Sequence, residues 1–238
     1  MTERIAKFMA RSGVCSRRQA EELIKQKRVT VNGVLIESPA FNVEGTEAIL
    51  LDGEKLPQIQ TTRLWLYHKP VGLLTTHKDT HNRPTVFDTL PPDMPRVISV
   101  GRLDLNSEGL LLLTNNGELS RKLELPENGW SRRYKVRVHG RVDKRKLEEL
   151  EKGTTVDGVQ YGSVKIELES QNGTNSWLQI TLNEGKNREI RKLMNSIGLE
   201  VARLIRLSYG PFQLGSLKKG EVREVPQKVL KEQLGNKL

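Results

Sequence analysis

The run from Gly101 to Gly117, GRLDLNSEGLLLLTNNG, constrains this chain more than any other stretch. Four consecutive leucines, Leu110 to Leu113, lead out of it, and Val97, Ile98 and Val100 lead in. Apolar runs of this kind read as the edge of a buried strand or as a helix start. Between them lies a turn carrying one acidic side chain, Asp104. Gly101 and Gly109 permit the sharp backbone geometry that exposes a side chain at the lip of a core. On residue type alone, an isolated aspartate in a loop usually bonds its own turn backbone.

With 238 residues the chain has room for one fair-sized domain and a small one. Its net charge of +10 points to a polyanionic partner: RNA, DNA or an acidic membrane surface. The membrane fits least, because no apolar stretch approaches the length of a bilayer span. The first residues, MTERIAKFMARSG, lack the apolar core of a secretory signal. A single cysteine, Cys15, excludes an internal disulfide framework and a cysteine-based metal site. Four scattered histidines, His68, His77, His81 and His139, show no zinc spacing. Neither a Gly-x-Gly-x-x-Gly loop nor a Walker pattern is present, which argues against a nucleoside triphosphate enzyme. Composition thus describes a cytoplasmic, soluble, metal-free protein with no membrane partner.

Ile5, Phe8 and Met9 sit at helical spacing up to Gly13, and Ser16 opens a second helix with Gln19 completing a capping box. Ala20, Leu23 and Ile24 give that helix its buried stripe. Val29-Thr30-Val31 and Val34-Leu35-Ile36, joined by Asn32-Gly33, read as a hairpin. Through residue 28 there are eight bases (Arg4, Lys7, Arg11, Arg17, Arg18, Lys25, Lys27, Arg28) against three acids. Arg11, Arg17 and Arg18 bracket the first turn, where the second helix also offers free N–H groups to phosphates. Cys15, in the same loop, has no histidine beside it and reads as an inert thiol. The stretch RIAKFMARSGVCSRRQAEELIKQKRVTVNG closely resembles an S4 RNA-binding domain. That resemblance implies a grip on structured RNA through backbone and shape, with Arg4, Lys7, Arg11, Arg17, Arg18, Lys27 and Arg28 as contacts.

Leu56 to Thr62, LPQIQTT, has no apolar period and reads as a linker, which places the domain boundary near residue 60: residues 1–60 and 61–238. Beyond it, Leu64–Tyr67, Val97–Val100, Tyr134–Val138, Val164–Leu168, Trp177–Leu182 and Val201–Leu207 read as strands. Asp143 to Lys152 and Asn187 to Ile197 read as helices. Many strands without a regular βαβ repeat predict an α+β fold with a mixed, mostly antiparallel sheet.

GRLD, a polar pair and GLLLLTNNG together resemble the catalytic motif of pseudouridine synthases of the small-subunit synthase A family. The resemblance extends over most of residues 64–225. It implies a small S4-like α/β domain followed by a pseudouridine synthase domain, with Asp104 as the nucleophile. Tyr67-His68-Lys69-Pro70-Val71-Gly72 resembles the family's Asn-Lys-Pro-x-Gly, with His68 in place of asparagine in a structural role and Lys69 toward the RNA backbone. Arg102 is a candidate for holding the extruded nucleotide, or for a structural ion pair. Arg132-Arg133-Tyr134 resembles the element that supplies the active-site tyrosine, although a strand-start tyrosine is ordinarily core. The resemblance implies that Tyr134 stacks on the uracil and that its hydroxyl serves as a base, a role for which a phenol needs activation. Gly185-Lys186-Asn187-Arg188-Glu189-Ile190-Arg191 resembles the family's basic motif, whose last arginine, Arg191, pairs with the aspartate. Lys186 and Arg188 would then face RNA, and Asn187 would cap the helix. Leu204, in Leu204-Ile205-Arg206-Leu207-Ser208-Tyr209-Gly210-Pro211, matches the aliphatic wall of the uracil pocket.

The implied reaction turns a uridine of ribosomal RNA into pseudouridine, with no cofactor. Tyr209-Gly210-Pro211 resembles the large-subunit branch of the family, which favours large-subunit RNA or its precursor particle, with the protein acting as a monomer. The same chemistry on small-subunit RNA and a non-catalytic ribosome-assembly role are the alternatives. A hydrolase with paired carboxylates would need Glu108 as partner to Asp104, but Glu108 reads as facing solvent in the turn.

Overall fold

The computed structural model describes residues 2–235. The chain divides into two compact units, the first comprising residues up to Arg63 with Asp93–Ile98 and Thr114–Gly117, the second the remainder.

The first unit runs β1 (Glu3–Arg4), α1 (Ile5–Arg11), α2 (Arg17–Lys25), β2 (Val29–Val31), β3 (Val34–Leu35), β4 (Asn42–Val43), β5 (Ile49–Leu51) and β6 (Glu54–Lys55). The capping box forms as the sequence predicts: the Gln19 N–H donates to Ser16 Oγ at 3.2 Å, and the Ser16 N–H to Gln19 Oε1 at 2.9 Å. Asn32 and Gly33 both take positive φ, 49° and 81°, as a two-residue turn matched to strand twist requires. Strand order is β3-β2-β5-β6, with β1 paired to β4. Ile5 and Met9 of α1, Ala20 and Ile24 of α2, and Val29 and Val31 of β2 share one apolar cluster. Cys15 is buried in it, and burial pushes its thiol up, which keeps it unreactive.

The second unit runs β7 (Leu64–Lys69), β8 (Ile98–Val100), β9 (Glu108–Thr114), α3 (Gly117–Glu124), β10 (Arg132–His139), α4 (Lys144–Glu151), β11 (Thr154–Val156), β12 (Val159–Tyr161), β13 (Lys165–Asn172), β14 (Asn175–Leu182), α5 (Glu189–Ser196), β15 (Glu200–Tyr209), β16 (Phe212–Gln213), β17 (Val222–Glu224) and α6 (Gln227–Leu234). One sheet has the order β13-β14-β10-β15-β9-β7-β17, with β16 on β15 and β8 on β9. β9 and β15 run parallel, whereas β10 is antiparallel to both β14 and β15. The result is an α+β fold with a mostly antiparallel mixed sheet.

All seven residues of β9 are buried, so the leucine run is a strand covered on both faces. Leu110 and Leu112 point into a cluster with Leu64, Leu119, Leu123, Leu230 and Leu234. Each fully buried leucine contributes roughly 1.5–3 kcal/mol. Helices α3 and α6 supply much of that cluster and go beyond the elements expected from sequence. Each is eight residues long and buries only two or three side chains. No helix among the described residues is long and apolar enough to cross a membrane.

Candidate active site

The turn between β8 and β9 is fixed by its backbone. Five consecutive carbonyls, from Leu103 to Ser107, accept hydrogen bonds from four residues elsewhere in the unit: Lys69, Gly72, Thr75 and Arg191. Thr75 Oγ1 donates to Leu103 O at 2.9 Å, and the Gly72 N–H to Leu105 O at 2.8 Å. Arg191 Nη2 donates to Asn106 O at 2.8 Å. Lys69 Nζ donates to Asp104 O at 3.1 Å and to Ser107 O at 2.9 Å, besides Pro70 O at 3.0 Å. With its main chain so held, the turn presents the Asp104 carboxylate from a preorganised position. That side chain is one-third exposed and lies on a cavity of about 560 Å³.

Lys69 corrects an expectation. Instead of facing RNA it is fully buried at the end of β7, and it does not line the cavity. Burial lowers its ammonium to about 8, with Asp104 and Glu108 opposing the drop and Arg206 adding to it. An ammonium has three N–H donors, one for each carbonyl, whereas the neutral amine has two. Activity is therefore expected to decline as pH rises through about 8, and Lys69→Arg to move that decline to higher pH. Lys69→Met removes a donor from three carbonyls, of which Asp104 O keeps the Ser107 N–H, and is expected to cost about 3 kcal/mol of stability and at least tenfold in rate. Denaturant melts and a rate–pH profile check both.

Glu108, expected to face solvent, is 2% exposed. Burial pushes its carboxyl up, but Arg203 and Lys219, the latter at 2.7 Å, outweigh that and hold it below the usual range. A carboxylate locked between two cations and away from the cavity does not supply the second acid of a glycosidase pair. His68 keeps a structural role: its Nδ1 lies 2.7 Å from Leu217 O.

Tyr134 is buried on β10 opposite Arg206 of β15, and lines the cavity with Leu204 and Arg102. Two cavity residues were missed in the sequence, Arg132 and Arg206. They flank the Tyr209 ring at 4.6 and 5.3 Å. Arg132 Nη2 donates to Tyr209 Oη at 2.8 Å, and Arg206 Nε to Leu110 O at 2.7 Å. The signal for them was the strand period: Arg132 lies two before Tyr134 and Arg206 two after Leu204, on the same faces.

The basic segment also departs from expectation. The guanidinium nearest Asp104 belongs to Arg188, with Nη1 3.8 Å from Oδ2. Arg191 spends its hydrogen bonds on the Asn106 and Val201 carbonyls and acts on Asp104 through space. Asn187 does not cap α5: the N-cap is Arg188, in the left-handed region with φ 52° and ψ 32°. Such a conformation costs about 1–3 kcal/mol at a non-glycine residue and persists only where its surroundings enforce it. Lys186, at the cavity edge, is occupied with Glu184 at 2.5 Å.

In the first unit Arg4, Arg17 and Arg18 are exposed. Lys7 and Arg11 pair with Glu3 at 3.5 and 3.2 Å, Lys27 with Glu37 at 2.8 Å, and Arg28 with Asp52 at 2.5 Å. Those four guanidinium and ammonium groups are partly neutralised, whereas Arg17 and Arg18 stand exposed at the start of α2 and Arg4 just before α1.

A family model described as RNA pseudouridylate synthase matches residues 63–196, and an S4 domain model matches residues 3–49. The chain belongs to the RNA pseudouridylate synthase family, and it is an isomerase with an S4 domain in front of its catalytic part. An uncharacterized RNA pseudouridine synthase of Rickettsia bellii is 50% identical over 229 residues, covering 96% of this chain and 99% of that protein. The ribosomal large subunit pseudouridine synthase B of Salmonella typhi is 42% identical over 221 residues, covering 90% of this chain and 76% of that one. A crystal structure of a pseudouridylate synthase superposes with a TM-score of 0.70 at 26% identity, covering 97% of this chain and 99% of that one.

Proposed function

We propose that the protein converts a specific uridine of large-subunit ribosomal RNA, or of its precursor particle, to pseudouridine, with Asp104 as the nucleophile and no cofactor. The observation that carries this reading is the anchoring of all five carbonyls around Asp104, which aims one carboxylate at the cavity beside Tyr134 and Arg188. The likeness to large subunit synthase B supports the choice of RNA.

The uridine leaves its stack to enter the cavity, at a cost of a few kcal/mol offset by contacts elsewhere on the RNA. An Asp104 oxygen attacks C1′ while the N1–C1′ bond breaks and its electron pair leaves on the uracil. The freed base turns, C5 bonds to C1′, and Asp104 departs. Tyr134, stacked on the ring, takes the C5 proton while N1 gains one. In the glycal alternative the same carboxylate assists loss of the C2′ proton and is required at the same place. Both glycosidic bonds join the same two fragments, so atoms and electrons balance without a cosubstrate. Residues 1–60 grip the RNA, residues 61–238 do the chemistry, and the protein acts as a cytoplasmic monomer.

The test maps pseudouridine across both ribosomal RNAs by carbodiimide-dependent reverse-transcription stops in cells lacking the protein. One large-subunit stop is expected to vanish and to return with the wild-type gene alone. A stop lost from small-subunit RNA would reassign the substrate. Equal rescue by Asp104→Asn would favour a binding role in assembly.

A further inference from the structure

We propose that Glu189 is a positioning residue, whose carboxyl shares a proton with Glu184 and thereby holds the turn that sets Arg188 against Asp104. The inference rests on the reading of Asp104 as the reacting carboxylate. Glu189 is 4% exposed. Its Oε2 accepts the Lys186 N–H at 2.9 Å, while its Oε1 is buried without a protein donor. The Glu189 N–H donates back to Lys186 O at 3.2 Å, closing a turn with Asn187 and Arg188 inside it. That clasp enforces the left-handed backbone of Arg188.

The neighbouring carboxylate, Glu184, has one other donor on each oxygen. Glu184 Oε1 accepts the Gly162 N–H at 2.7 Å and Oε2 the Lys186 ammonium at 2.5 Å. Lys186 Nζ also donates to Gln160 O at 2.7 Å and lies 5.6 Å above the Tyr161 ring. Glu184 therefore keeps its charge, held below the usual range although burial opposes this. Burial pushes the Glu189 carboxyl up to about 7, against the Lys186 N–H and with the Glu184 charge adding to the rise. With the Glu184 charge beside it and its own Oε1 buried, Glu189 keeps its proton and supplies an O–H toward Glu184.

The remaining charged groups around the turn do not compete for that proton. From β10, Arg132 bonds the Asn183 carbonyl. From the turn and α5, Arg188 and Arg191 are directed to the Asp104 turn. When Glu189 ionises, repulsion from Glu184 opens the clasp, and Arg188 relaxes toward an ordinary backbone away from Asp104.

The experiment compares wild type, Glu189→Gln and Glu189→Ala. It reads pseudouridine formation on ribosomal RNA from cells lacking the protein between pH 6 and 8, and melting temperature between pH 4 and 8. Wild-type kcat is expected to fall about tenfold for each pH unit above the pair's titration near 7, with KM unchanged. Glu189→Gln, whose amide donates where the carboxyl did, is expected to lose that limb and to keep the separate decline near 8 that belongs to Lys69. Glu189→Ala is expected to lose about tenfold in kcat at every pH. The folded value lies above the unfolded one, so stability from the shared proton is full below about 4.5 and is lost as pH rises through about 7. The melting temperature of wild type relative to Glu189→Gln should fall across that window and then level. A limb near 7 that survives in Glu189→Gln, or a flat melting difference, overturns the proposal. Absence of turnover by wild type on either ribosomal RNA would overturn the substrate reading instead, and the melting difference would still decide the shared proton.

Discussion

Asp104→Asn is expected to reduce pseudouridine formation by about a thousandfold or more while leaving the fold intact. The substitution is nearly isosteric, and every anchor of the turn is to a backbone carbonyl, so the side chain changes without loosening its mount. The ion pair it removes is long, at 3.8 Å, and both partners are substantially exposed, so its loss costs at most about 1 kcal/mol of stability. The amide lacks the nucleophilic oxygen pair. Asp104→Glu should be almost as inactive, because a fixed turn cannot retreat by the length of the added methylene. Single-turnover rates on ribosomal RNA, beside melting curves, check both. Retention of a tenth of the wild-type rate by the Asn variant would remove Asp104 from the chemistry.

The largest structural effect is expected at Gly109, the second residue of β9. A Cβ there would sit 2.4 Å from the Arg206 carbonyl oxygen and 2.6 Å from its nitrogen, and the backbone φ of +108° already disfavours a side chain. The obstruction is main chain, which cannot swing aside as a flexible side chain does. Gly109→Ala must part β9 from β15 and draw Arg206 off the cavity, and it is expected to cost about 4 kcal/mol or to prevent folding. Gly101→Ala makes the contrast: its φ is +65° but nothing lies within 4 Å of the added atom, so a loss of about 1 kcal/mol is expected. Denaturant melts of the two should differ by several kcal/mol, and similar losses would contradict the close approach of β9 to β15.

The strongest local signals were legible, although α3, α6 and the start of α5 were not. Ser16 with Gln19 and Asn32 with Gly33 carry their geometry in the residues themselves, and the predicted strands of the catalytic unit each appear, most of them longer than expected, with β8 one residue shorter and β13 starting one residue later. The legible part of the site is likewise local: Asp104, Tyr134 and Leu204 all reach one cavity. What sequence hid were charges whose partners lie far along the chain. Lys69 and Glu108 are polar residues that ordinarily seek water. Their burial is set by carbonyls and cations contributed from residues 104–107, 203 and 219, which no local window contains. The exchange of Arg191 for Arg188 beside Asp104 has the same origin, since it follows from the left-handed turn at Arg188 and not from spacing along a helix.

The parallel contact between β9 and β15 has a consequence for how the enzyme comes into being. Arg206 bonds Leu110 across 96 positions of chain, and the Ile205–Glu108 pairing spans a similar distance. Closing so long a loop costs entropy before any contact repays it, which makes this seam a slow step relative to the hairpin of β13 and β14. During synthesis the Asp104 turn emerges about a hundred residues before the strand that completes its cavity. The cavity is therefore absent from any nascent chain that ends before β15, and the enzyme cannot modify RNA until that strand has left the ribosome.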